Sequence, residues 1–188
     1  DGYMRSDLLD EVLQYDNSEF VSYLENKGFY VASTSRSNYP YTFLSIPSAL
    51  NMEYINYLGD TVGSESHDVL ATYPLIQANR VGQLLKSVGY RYVQVSSGWS
   101  GADRSLIADD VFTWKNKGPE QAFLSLLVEM TAVYPIVQTI LDDWQDERGS
   151  ILFAFDEIAK AGIHESPTFV YAHIISPHPP YVFGADGE

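Results

Sequence analysis

Cysteine is absent from the 188 residues, which excludes disulfides, thiolate metal ligands and a cysteine nucleophile, and leaves the redox compartment open. Basic residues are scarce and scattered: 11 Lys and Arg stand against 25 Asp and Glu, for a formal net charge of −14. A surface that tracks nucleic-acid phosphates draws its affinity from clustered cations, so no nucleic-acid partner is expected. Long apolar runs are missing as well. Nothing approaches the roughly 20 residues that span a bilayer, no basic-then-apolar leader opens the chain, and this stretch is expected to be soluble. No repeat or low-complexity segment occurs. The first residue is Asp1 rather than Met, so the chain is expected to start inside a longer product, which leaves room for an upstream membrane anchor.

What is present suits one α/β core. At 45% hydrophobic, the chain has enough apolar surface for one sizeable domain. The 14 Tyr and 9 Phe read as core and sheet packing rather than as a sugar-binding platform. Residues Asp7 to Lys27 have helical spacing, with Leu8, Leu9, Val12 and Leu13 followed by Phe20, Val21 and Leu24, and Gly28 is a fitting stop. A short strand is expected directly after it, over Phe29 to Ser33. The same order recurs at Val81 to Val88, a helix, then Gly89, a turn, then Tyr90 to Ser96, a strand. Two helix-glycine-strand units predict helices layered on a mainly parallel sheet. A third strand is expected over Thr168 to Ile175. Helices are expected over Glu120 to Tyr134, Ile136 to Trp144 and Ile151 to Ala161, with Pro135 breaking the first from the second.

Loops fall at Ser35 to Tyr41, Gly59 to Asp68, Ser97 to Asp103 and Ser176 to Glu188, three of them after expected strands. Ligands of open α/β sheets bind beyond the carboxyl ends of strands, so these loops are where chemistry is sought. In "NYPYTFLSIPSALN", Asn38 to Asn51, a Pro-containing loop runs into a helix-compatible stretch from about Phe43. That places the Thr42 hydroxyl near a helix N-terminus, where a positive dipole favours anions; Thr42 is either a nucleophile there or merely the N-cap. "DGYMR", Asp1 to Arg5, reads as a turn at a chain end. "HIISPHPPYVFGADG" sets His173 at the end of an apolar strand and His178 five residues on, between prolines, as a candidate imidazole pair or as ordinary histidines. "SSGWSGADR" offers Trp99 and Arg104 beyond another strand, with plain loop packing as the alternative for Trp99. His67 reads as a polar-loop residue.

Taken together, the motifs resemble the alkaline phosphatase and sulfatase superfamily. The Asn38 to Asn51 stretch looks like its nucleophile loop: nucleotide pyrophosphatase/phosphodiesterases have a Pro-x-Thr element there. Lipid-A phosphoethanolamine transferases have a Thr followed three residues later by Ser, a hydrophobic residue and Pro, similar to Thr42, Ser45, Ile46 and Pro47. Asp1 to Arg5 is similar to the Asp-Gly-x-Arg of the superfamily's phosphodiesterases, and His173 to His178 resembles the His-x-x-x-x-His-x-Pro element of the transferases and the His loop of lipoteichoic acid synthases. The last family also contacts substrate with a Trp and an Arg from a place like that of Trp99 and Arg104.

The resemblance implies an alkaline phosphatase-like α/β fold, of which residues 1–188 are the N-terminal portion. It implies Thr42 as nucleophile and metal ligand, Asp1 as metal ligand, and a divalent ion, zinc, manganese or calcium. It implies substrate contacts from His178, His173, Asn38, Trp99 and Arg104, with His178 on an ester oxygen and His173 behind it or assisting. The implied substrate is an anionic phosphate or sulfate ester, on a lipid or glycan head group in the transferase case. The setting is extracytoplasmic, with membrane attachment through segments outside this chain. The later Asp-His-Gly element that completes the metal site in these families does not occur; "FGADGE" lacks the His. The chain alone is therefore expected to be metal-free and inactive. Two alternatives stand beside hydrolysis: transfer of phosphoglycerol or phosphoethanolamine in the cell envelope, and a binding-only relative for which Thr42 is just a cap.

Overall fold

The computed structural model describes residues 3–96, 99, 101–114, 127, 130, 131, 147–161, 166–179, 181–184 and 187. Asp1 lies outside them, and the expected helices over Glu120 to Tyr134 and Ile136 to Trp144 fall almost wholly outside them. The described residues form a mixed α/β structure: a small three-stranded parallel sheet flanked by helices.

Helix α1 (Ser6–Leu13) and α2 (Ser18–Asn26) stand where one helix from Asp7 to Lys27 was expected. The break has local causes. Gln14 adopts a left-handed conformation at φ 55°, and the Asp16 carboxylate accepts a 2.8 Å bond from the Ser18 N–H, an alternative to continued helix that short polar side chains provide. Gly28 does end α2, at φ 88°. The strand expected over Phe29 to Ser33 does not form. Tyr30 is 92% exposed, Phe29 is exposed too, and no described strand pairs with the segment. Aromatic, β-favouring residues do not make a strand without neighbours to satisfy their backbone groups.

After α3 (Thr42–Asn51) and α4 (Leu58–Val62) comes a 3₁₀ turn, Val69–Thr72, leading into α5 (Tyr73–Gln77). Next is α6 (Arg80–Ser87), whose N-cap Asn79 accepts from the Gly82 N–H at 2.7 Å. Gly89, at φ 92°, turns the chain into strand β1 (Arg91–Val95), as its sequence grammar predicts. Strands β2 (Asp110–Phe112) and β3 (Thr168–Ala172) pair with β1 in parallel, in the order β2-β1-β3. Strand β3 stops three residues before the expected end at Ile175, and β2 was not anticipated. The remaining described helix, α7 (Glu147–Ala161), begins four residues ahead of its expected start at Ile151.

Strand β1 is buried on both faces, which its central place requires. Val93 and Val95 pack with Ala154 and Ala161 of α7, joined by Phe153, Ile158 and Val170. On the opposite face Tyr92 and Gln94 are fully buried. Gly82 lets α6 approach this face closely, since a Cβ there would come within 2.8 Å of the Tyr92 ring. Among the described residues no helix is long and apolar enough to cross a membrane.

Candidate functional site

The chain from Ser35 to Tyr41 is tied down on both sides before it enters α3. Asn38 donates to the Ser48 hydroxyl at 2.8 Å, and that hydroxyl donates to the Glu53 carbonyl at 2.6 Å. The Tyr39 hydroxyl donates to the Asn56 side chain at 2.7 Å while accepting from the Ile55 N–H at 2.8 Å. At its other end α3 is anchored by buried Asn51, whose amide bridges the Pro47 and Leu75 carbonyls, each at 2.7 Å, and whose oxygen accepts from the Arg80 N–H at 3.1 Å. Thr42 therefore opens a helix that is fixed at both ends, the position its sequence predicts. Tyr41, in extended conformation, gives that helix no side-chain cap, and its first turn carries no carboxylate, so nothing on the helix itself offsets its positive end.

A cleft of about 830 Å³ opens at this helix start. Thr42 and Ser45 line it from α3, Ser35, Arg36 and Ser37 from the preceding loop, and Arg5 from the start of α1. Tyr3, Tyr39 and Tyr41 supply aromatic walls, and His173 closes it from the end of β3. No Asp or Glu occurs among its described lining residues, although the whole chain holds 25. Its described lining departs from the acidic composition of the chain.

His173 comes directly after the last residue of β3 and is buried. Burial pushes its imidazole pKa down to about 4, against a smaller opposing pull from Asp103, so the ring is neutral near pH 7. A neutral imidazole offers one donor and one acceptor nitrogen. Trp99 packs edge-on against it, with ring centroids 5.0 Å apart and planes at 68°. The loop that carries Trp99 is held to β1: Gln94 donates to the Ala102 carbonyl, and Ser96 donates to the Asp103 carboxylate. Gln94 accepts in turn from the Tyr92 hydroxyl at 3.2 Å, which accepts from Asn79 at 3.2 Å, so a chain of buried polar side chains runs from the α6 cap to the Trp99 loop.

The structure thus brings Thr42 and His173 to one cleft and sets Trp99 against His173. Asn38 supports the loop beneath Thr42 through its bond to Ser48. His178 lies elsewhere, exposed on a turn, its Nδ1 2.7 Å from the Pro179 carbonyl oxygen. Arg104 is exposed and does not line the cleft, and His67 sits in a polar loop as expected.

Compared with protein-family models, curated proteins and solved structures, the chain matches none.

The divalent metal that the resemblance implies finds Thr42 alone among the described residues. Asp1 lies outside them, and no three His, Asp or Glu side chains converge among them. The described residues do not by themselves form a metal centre. Arg5 and Arg36 were not anticipated as site residues. Arg5 stands within "DGYMR", but its place in the cleft depends on a partner 30 positions away, through a 3.0 Å bond to the Ser35 carbonyl. An Arg-x-Asp pair at Arg5 and Asp7 was the local signal available.

Proposed function

We propose that this chain carries the nucleophile of a phosphoric or sulfuric ester hydrolase or transferase of the alkaline phosphatase and sulfatase type, with Thr42 as the attacking group. The observation that supports this most is the cleft that joins Thr42 at a helix start to His173 and two arginines, with no Asp or Glu among its described lining residues in a chain of net charge −14. Such a cleft favours an anion over the cations that an acidic surface attracts.

In the proposed reaction the Thr42 hydroxyl oxygen attacks the phosphorus or sulfur of the ester. A new O–P or O–S bond forms as the bond to the leaving alcohol breaks; the threonine proton is lost and the departing alkoxide gains one. Water or an acceptor alcohol then attacks the phospho- or sulfo-threonine, releasing Thr42. Water makes the protein a hydrolase; a lipid or glycan alcohol makes it an envelope transferase. The positive end of α3 stabilises charge on the transferred group. Neutral His173 acts by hydrogen bonding to an ester oxygen rather than by adding charge. A divalent metal completes the domain through ligands beyond Thr42, and the chain of 188 residues alone is proposed to be metal-free and inactive.

The test is turnover of aryl phosphodiester, phosphomonoester and sulfate esters by the full-length protein with zinc, manganese or calcium added. Thr42→Ala is expected to abolish turnover, and wild-type rates in that variant would remove Thr42 as nucleophile. Capture of the group by an added alcohol in preference to water favours transfer. Binding without turnover of any ester favours a binding-only relative. Stoichiometric zinc retained by the 188-residue chain after exhaustive chelation would overturn the proposed need for further ligands.

A further inference from the structure

We infer that Arg36 is the anion-recognising residue of the cleft, on an arm of chain that Arg5 positions; the inference rests on the anionic-ester reading proposed for the same cleft. The two arginines that line the cleft are not equivalent. Arg5 is already matched, since its Nε and Nη2 donate to the two Asp7 carboxylate oxygens at 2.8 and 2.6 Å and its Nη1 donates to the Ser35 carbonyl at 3.0 Å. A two-pronged pair of this kind sets charge against charge and fixes geometry at the same time. Arg5 therefore adds little net charge to the cleft and serves as a strut under Ser35.

Arg36 is the next residue along the chain. It is exposed and makes no ion pair among the described residues. No described carboxylate lines the cleft to compete for it. His173 brings no competing charge either, because burial holds its ring neutral near pH 7. Arg36 thus carries the one unmatched positive charge among the described lining residues. Its backbone is not loose, because Arg5 grips Ser35 on one side while Asn38 and Tyr39 are bonded to the α3 and 53–56 segments on the other. A guanidinium so placed fits two oxygens of one tetrahedral oxyanion, a phosphate or sulfate group, by paired N–H donation.

The test titrates isotopically labelled protein with inorganic sulfate and then inorganic phosphate, following the ring resonances of His173. Wild-type protein is expected to bind both. Arg36→Gln is expected to weaken binding by about tenfold or more, the scale of a single charge-assisted hydrogen bond. Arg36→Lys should fall between the two, because it keeps the charge and loses the fork. Arg80→Gln should match wild type, since Arg80 is paired with Glu53 at 3.0 Å and does not line the cleft. If Arg36→Gln binds within about twofold of wild type, the role of Arg36 is overturned while the anion cleft stands. If neither ion shifts His173 in the wild-type protein, the anion reading fails and the role fails with it.

Discussion

The first forty residues and the segment around β1 are written in the same grammar, a helix, a glycine and a β-favouring run, yet only the second makes a strand. Gly28 and Gly89 adopt nearly the same left-handed conformation, at φ 88° and 92°, so both helices end as their sequences direct. The two runs beyond those glycines part company. Tyr92 is 0% exposed between α6 and the sheet, while Tyr30 is 92% exposed after α2. The residues after Gly89 meet β3 in register from Arg91 to Val95 and β2 from Val93 to Val95; those after Gly28 meet no described strand. A helix end is decided within a few residues, but a parallel strand is decided by its neighbours.

The comparison is sharpest at the two tyrosines. Tyr92→Ala removes a buried ring and one hydrogen bond from each of Asn79 and Gln94, and should cost about 3–5 kcal/mol in urea unfolding. A loss below about 1 kcal/mol would mean that the β1 region is not the stability centre of the fold. Gly82→Ala should cost about 1–3 kcal/mol by the same measurement, because the added Cβ meets the Tyr92 ring at 2.8 Å on a packed face that has little room to yield.

A third effect is confined to a window of pH. The unfolded chain protonates His173 near the ordinary value of about 6.5, whereas the folded chain does so only near 4. The unfolded state therefore holds more protons between those values, and stability falls as pH is lowered through them, with no contribution from this residue above the upper value. Comparing wild type with His173→Gln at several pH values in that range checks it, since the variant should lose part of the slope. An unchanged slope would mean that His173 is solvated. The smallest effect belongs to the other region: Tyr30→Ala should change stability by no more than about 0.5 kcal/mol, and a larger loss would show that the segment after Gly28 packs against something.

Much of the α6 to β1 unit was legible because its signals are local. Gly89 ends the helix that was expected from Val81, and the strand expected over Tyr90 to Ser96 forms over Arg91–Val95; the Asn79 cap was not anticipated. Strand β2 was not legible. It has three residues and opens on Asp110; it is held by side chains that come from elsewhere, with Arg91 donating to Asp110 at 2.7 Å. Beside it Asp109 accepts from the Tyr92 N–H at 2.9 Å. Its carboxyl pKa is lowered by its bonds to Lys86 and to that N–H. The site divides in the same way. Thr42 at a helix start and His173 at a strand end are set by position along the chain, whereas the grouping of Arg5, Arg36 and His173 depends on packing across long separations that no spacing rule contains. The α1 to α2 break shows the reverse failure: the apolar spacing was continuous, but the Asp16 carboxylate offered the Ser18 N–H a better local partner.

The buried chain from Asn79 through Tyr92 and Gln94 to Ala102 also divides the molecule by its latitude for change. The wall behind His173 is wired into the sheet, so altering a member of that chain is expected to cost stability as well as to disturb the wall. The bank formed by residues 35–41 is held by Asn38 and Tyr39, and its exposed members that make no such bond, Arg36 among them, are open to replacement at little structural cost. New preferences for a ligand would arise on that bank, while the opposite one stays as the fold left it.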